Sequence, residues 1–257
     1  MSFDDDFNAC AALVDKADPD RFAAVMASPL DARKVLFPLY AFNVEVARAP
    51  WVSQETMIAE MRLQWWRDAV EEIEQGGQVR RHEVVTPLSR VIDAGLAPVL
   101  DRLVAARRWD IYKDPFEDAG HFSNYINETA GGLMWTAARA LGQPAHQETE
   151  MQVRALGFAA GLARFLQAVP ELEAQKRIPL VDGRGEAVQA LAQDALAACP
   201  DRPSIKRLLN AAARPAVTEA FLAQALLKQV VDDPLRVAEG ALSVAPLRRT
   251  WLLWRWA

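Results

Sequence analysis

The run Leu36–Val70, LFPLYAFNVEVARAPWVSQETMIAEMRLQWWRDAV, limits the fold more than any other part of the chain. It holds two apolar patterns of helical period, parted by a short break at Ala49-Pro50-Trp51. Polar groups sit inside both patterns. The first carries Asn43, Glu45 and Arg48; the second carries Glu60, Gln64, Arg67 and Asp68. Glu60, Gln64, Arg67, Asp68 and Glu71 recur at the spacing that puts them on one helix face. Two facing helices with inward polar residues are how a bundle builds a site. The same pattern serves equally as core plus a solvated face.

Helical signals continue through the rest of the sequence. Residues 4–27 read as one or two short helices divided at Asp18-Pro19. Ser28-Pro29-Leu30-Asp31 reads as a helix start with Ser28 as cap and Pro29 in the first turn, and Ser53 as the next cap. Thr86-Pro87 opens a helix to about Ala94, and Ala97–Lys113 is another. Asp114-Pro115-Phe116-Glu117 repeats the start signal ahead of a helix over about 118–142. That helix contains Gly131-Gly132, a costly pair that marks close approach by another backbone or a ligand. Gly157 and Gly161 give the next helix the spacing of a tight helix crossing, and Pro170 is expected to end it. Further helices are expected over about 185–198, 202–213 and 215–231. Period-two alternation is scarce, so the expectation is all-α: one bundle of about ten helices over 1–257, with no linker or repeat.

Charge and composition narrow the function classes. The formal net charge of −5 argues against a nucleic-acid partner. Cys10 and Cys199 stand far apart, so neither a disulfide framework nor a zinc site is indicated. The acidic start MSFDDDFNAC is unlike a signal or transit peptide. No run approaches the roughly 18 apolar residues of a membrane span, and a cytoplasmic location is the expectation.

Several residues have two readings. Glu45 and Arg48 are spaced to pair with each other or to enter a site. Arg62, Gln64, Arg67 and Asp68 are either site groups, since arginine suits carboxylate or phosphate, or members of internal salt bridges. Trp65 and Trp66 cannot share a face, so at least one is core. Arg107-Arg108-Trp109-Asp110 reads as a partly buried helix end. Tyr125 and Glu128 either point into a cavity or close a core hydrogen bond, and Lys176-Arg177 either meets phosphate or is a solvated loop. The tail 246–257, PLRRTWLLWRWA, sets Arg248, Arg249, Trp251, Trp254 and Trp256 close together. That composition suits a membrane interface, a partner groove, or a helix docking its tryptophans on the core.

Four blocks in order resemble the squalene/phytoene synthase family: LFPLYAFNVEVARAP with EMRLQWWRDAVEEI, then NYINETAGGLMWTAARALG, then GLARFLQAVP, then KRIPL. The resemblance runs over about residues 19–182; the remainder matches only as helices. It implies an isoprenoid-synthase-like helical bundle around a central cavity. It also implies two Asp-rich motifs on facing helices, holding Mg²⁺ against the diphosphates of two prenyl substrates. Here those motifs are missing. Aligned on LYAF, the first motif's carboxylates fall at Ala47, Arg48 and Trp51, and its preceding arginine at Val44. The second motif's interval reads AVPELEAQKR, shorter than the family pattern and with only Glu171 and Glu173 as acids. One branch of the family, similar to the mitochondrial respiratory complex I assembly factor, shares the LYAFN and LQWWRDA blocks and lacks Asp-rich motifs.

The leading expectation is therefore a member of the fold that has lost Mg²⁺-dependent prenyl transfer and serves binding or assembly. Its cavity would hold an isoprenoid or other lipid ligand, and its tail would meet a protein partner or the inner membrane surface as a peripheral contact. Gln167 and Glu171 join Asn43, Tyr125 and Arg177 as candidate wall residues. No cofactor is expected. The alternative is an active prenyltransferase with a non-standard site, in which Glu45 and Glu171 hold Mg²⁺ and Arg62 and Arg67 assist.

Overall fold

The computed structural model describes residues 3–53 and 55–257. Met1 and Ser2 of the acidic start lie outside the described residues. No strand occurs among the described residues, as the missing period-two alternation implies. The helices are α1 (Phe3–Ala17), α2 (Pro19–Met26), α3 (Leu30–Arg48), α4 (Thr56–Glu74), α5 (Val85–Leu88), α6 (Ala97–Ala106) and α7 (Ala119–Ile126). They continue as α8 (Gly132–Ala140), α9 (Gln147–Ala174), α10 (Gly185–Ala198), α11 (Arg202–Leu208), α12 (Ala223–Asp232), α13 (Leu235–Ala238) and α14 (Pro246–Trp256). Short 3₁₀ turns cover Ala49–Trp51, Arg107–Asp110 and Arg214–Ala220, and a π-helical turn, Asn127–Gly131, joins α7 to α8.

Several helix boundaries differ from the sequence expectation. The Ser28 hydroxyl donates back to the Ala24 carbonyl, and α3 starts one residue later behind Pro29. Ser53 Oγ accepts from the Glu55 amide before α4 begins. At α7 the cap is Asp118, which accepts from the His121 amide, not Asp114. The helix expected over 86–94 is a single turn, α5. Pro170 does not end α9, which runs on to Ala174 because buried Val169 and Leu172 hold its last turn against the core. The true end is a Schellman cap: the Lys176 and Arg177 amides donate to the Glu173 and Leu172 carbonyls, with Lys176 at φ +63°.

Two hydrophobic clusters hold the helices together. The first gathers α1, α3, α4, α6 and α8 and is closed by Trp256 of α14; the second gathers α7, α10, α12 and α13. Helix α9 serves both. Val153, Leu156 and Ala160 enter the first, and Leu162, Phe165, Leu166 and Val169 the second. The glycine pairs explain the contact with the π turn. A Cβ on Gly157 would stand 2.8 Å from Gly131 Cα and 2.9 Å from the Ala130 carbonyl oxygen. The Gly131-Gly132 pair therefore marks a close backbone approach, and the spacing of Gly157 and Gly161 marks its partner.

Candidate functional site

A cavity of about 330 Å³ opens where α2 and α3 face α9. The π turn and the 3₁₀ turn at Arg107–Asp110 complete its wall. Ala47, Trp51, Ile126, Phe165, Ala168 and Leu172 make it apolar on one side. The polar lining forms two charge clusters.

The first cluster joins three distant parts of the chain. Arg21 is buried; its Nε donates to Glu219 Oε2 at 2.5 Å and its Nη1 to Asp18 Oδ2 at 2.9 Å. Arg164 from α9 reaches the same Glu219, donating to its carbonyl at 3.1 Å and pairing with Oε2 at 3.2 Å. Burial works against the Arg21 charge, but Glu219 and then Asp18 outweigh it and its pKa is raised. Below it the Tyr40 ring lies 4.8 Å from the guanidinium carbon. Burial first, and Glu219 next, push the Tyr40 hydroxyl well above its usual value.

The second cluster centres on Tyr125. Its hydroxyl donates to Asp110 Oδ1 at 2.9 Å and accepts from Arg107 Nη1 at 2.8 Å, while Arg107 pairs with Asp110 at 3.2 Å. Burial raises the Asp110 and Tyr125 pKa values against the pull of Arg107. Arg177 braces this turn. It donates to the Tyr112 carbonyl at 2.7 Å and the Asp110 carbonyl at 2.5 Å, and stacks 4.6 Å from the Trp51 ring. The Schellman cap of α9 is what turns Arg177 back onto those carbonyls. It is 7 % exposed, so it is not a solvated loop charge.

The candidate residues do not converge. Asn43 and Tyr125 line the cavity, and Arg177 abuts it through Trp51. Glu45 and Arg48 pair with each other at 3.3 Å and line a separate groove with Arg62. Gln64 donates to Asp68 at 2.7 Å, and Arg67 makes a two-pronged bond to Asp101 at 2.7 and 2.9 Å. The polar face of α4 therefore turns to α6 and solvent, not to the polar residues of α3. Glu128 pairs with Arg102 at 3.3 Å, Gln167 donates to the Leu242 carbonyl, and exposed Glu171 accepts from Gln175. Arg249 pairs with Asp20 and Trp256 is buried, whereas Arg248, Trp251 and Trp254 are exposed. Arg21, Arg164 and Glu219 escaped the sequence reading. One signal was present: Arg164 is a lone charge inside the apolar run GLARFLQAV.

The residues present do not fit the Mg²⁺ that the Asp-rich family pattern holds. Ala47 and Trp51 face the cavity at the first motif's carboxylate positions, and α9 presents Gly161, Arg164, Phe165 and Ala168. The lining carboxylates, Asp18 and Asp110, are each bound to a guanidinium. Among the described residues no three His, Cys, Asp or Glu are grouped as a metal would need. Glu45 is paired with Arg48 in the other groove and Glu171 is exposed and bound by Gln175, and neither lines the cavity.

The fold and cavity define a class. The squalene/phytoene synthase family model matches residues 14–250, and the chain belongs to that family. A dehydrosqualene synthase crystallised with a ligand superposes with a TM-score of 0.77, at 16% identity, covering 99% of this chain and 96% of that one. A squalene synthase from Alicyclobacillus acidocaldarius gives 0.73, also at 16% identity, covering 91% and 95%. These likenesses establish the isoprenoid-synthase helical fold. In sequence, the chain is 28% identical over 182 residues to the Drosophila melanogaster NADH dehydrogenase (ubiquinone) complex I, assembly factor 6 homolog, covering 67% of this chain and 53% of that protein. It is 24% identical over 171 residues to the human assembly factor 6, covering 66% and 51%. The chain thus spans about half the length of these curated relatives.

Proposed function

We propose that this protein has given up Mg²⁺-dependent prenyl transfer, keeps the cavity as a lipid-binding site, and acts in the assembly of a larger complex. One observation carries the reading: the cavity is present with Ala47 and Trp51 at the first motif's carboxylate positions, and the carboxylates it does have, Asp18 and Asp110, are each bound to a guanidinium. Neutralising a diphosphate leaving group in an apolar cavity needs cations held by free carboxylate oxygens. The cavity volume of about 330 Å³ lies at the lower end of the range for small-molecule sites. Support for the assembly role comes from the relatives named complex I assembly factor 6. For the surface it would use, α14 presents Leu247 at 88 % and Trp254 at 75 % exposure, and a peripheral membrane or protein contact follows from that face. No helix among the described residues is long and apolar enough to cross a membrane.

The test is turnover. Purified protein with farnesyl or geranylgeranyl diphosphate and Mg²⁺ is expected to release no diphosphate above background. Metal-dependent release that disappears in Tyr125→Phe and Arg164→Ala variants would overturn the proposal.

A further inference from the structure

The cavity's charges and its unpaired atoms together specify the head group of its ligand. Around it stand three buried or half-buried guanidiniums, Arg21, Arg107 and Arg164, and three carboxylates, Asp18, Asp110 and Glu219. Every one is paired within this set, and formal charge cancels. A prenyl diphosphate would have to draw its cations away from Glu219 or Asp110, each 4 % exposed. Asp110 would lose its one guanidinium and Glu219 one of its two, and a buried carboxylate that loses its partner is strongly destabilising. Arg177 offers no relief, because it does not line the cavity and both its Nη atoms are held by the Asp110 and Tyr112 carbonyls.

What the lining leaves unsatisfied includes an acceptor, which an ionised diphosphate, having no donor, cannot meet. Among lining residues, the buried side-chain atoms without a hydrogen-bond partner are Asn43 Oδ1 and Arg107 Nε. One is an acceptor and one a donor, which matches in kind the needs of a hydroxyl. Asn43 is 6 % exposed and sits on α3 one turn before Ala47, at the start of the apolar wall. The π turn at Asn127–Gly131 adds Thr129 and Ala130 to the same wall, and such interruptions of a helix frequently fall at functional sites.

We propose that the cavity takes a lipid ending in an uncharged oxygen group, of the prenyl-alcohol class, with Asn43 as its polar contact, and does not take a prenyl diphosphate. This rests on the lipid-binding reading above and adds the head-group chemistry to it. The experiment compares binding of farnesol, farnesyl diphosphate and the hydrocarbon farnesane to delipidated full-length protein, read by quenching of tryptophan fluorescence and by native mass spectrometry. Farnesol is expected to bind at least about tenfold more tightly than farnesyl diphosphate, with or without Mg²⁺. Asn43→Leu is expected to weaken farnesol about tenfold while leaving farnesane unchanged. That variant is expected to fold, since it removes an unsatisfied polar atom at similar volume. Ala168→Trp, which fills the cavity, is expected to abolish all binding. Tighter binding of the diphosphate, or an Asn43→Leu variant that holds farnesol as well as the parent, would overturn the head-group assignment and leave lipid binding standing. If none of the three probes binds, the lipid-binding reading itself falls, and this inference with it.

Discussion

Glu219 is the residue on which the cavity's first cluster depends. It is 4 % exposed, receives Arg21 at 2.5 Å and Arg164 at 3.2 Å, and ties α2 to α9. Glu219→Ala leaves both guanidiniums without that anion, and breaking a buried pair costs about 3 kcal/mol or more. Urea unfolding measures it; a loss under about 1 kcal/mol would mean that water replaces the carboxylate. Asp110 contributes with the opposite sign. Burial holds its folded pKa above 3.8 despite Arg107 and Tyr125. Its contribution to stability is fully present below 3.8 and is lost as pH rises through the raised folded value. The stability of the parent relative to Asp110→Asn is therefore expected to decline as pH climbs from about 3.5 to neutral, read as the difference of their Tm values. A flat difference would contradict the raised pKa. Little of the Glu219 cluster was legible in sequence beyond Arg164 as a lone charge in an apolar run. Positions 21, 164 and 219 share no local spacing, and only tertiary packing brings them together.

At the scale of elements, legibility depended on whether a residue's role was local. The Gly131-Gly132 and Gly157/Gly161 pairs announced a close helix contact, because only glycine permits that approach. Gly157→Ala places its Cβ 2.8 Å from Gly131 Cα, a backbone atom that cannot swing aside. Overpacking of that kind is expected to cost about 1–3 kcal/mol in a denaturation experiment, with no change in ligand head-group preference. Caps were less legible. Ser28 and Ser53 have the right chemistry for capping, but a serine hydroxyl bonds as readily to a nearby backbone group outside the helix. Helix α14 shows the limit most clearly. Its sequence allowed a docked helix or an interface helix, and the structure gives it both faces. Trp256, Leu252 and Leu253 pack inward, while Leu247, Trp251 and Trp254 form an outer stripe beside exposed Arg248 and Arg255. Removing residues 246–257 would strip Trp256 from the core, so point changes test the stripe more cleanly. The Leu247→Ser, Trp254→Ser double variant is expected to keep the parent Tm and to lose flotation with anionic liposomes. Parent protein that fails to float would remove the membrane contact from the proposed function.

The fold class of the whole molecule was legible because helical period and block order are properties of long stretches. Which face of α3 lines the cavity was not. Leu36–Val44 is buried throughout, so this stretch of α3 has no solvated side to show which of its faces, that of Asn43 and Ala47 or that of Glu45 and Arg48, meets α9. Helix α3 faces α4 across the groove of Glu45, Arg48 and Arg62, and faces α9 across the cavity of Asn43 and Ala47.

Helix α9, shared end to end by the two hydrophobic clusters, has a consequence for how the molecule comes apart. Neither cluster keeps its packing if that helix is lost, and melting of either cluster strips half of the helix of its contacts. Unfolding is expected to be one cooperative event, with a calorimetric enthalpy equal to the van't Hoff value. The amides of Leu156–Leu166 should then exchange with deuterium only through global opening. Two resolved heat-absorption peaks, or early exchange along either half of α9, would show instead that the clusters melt independently.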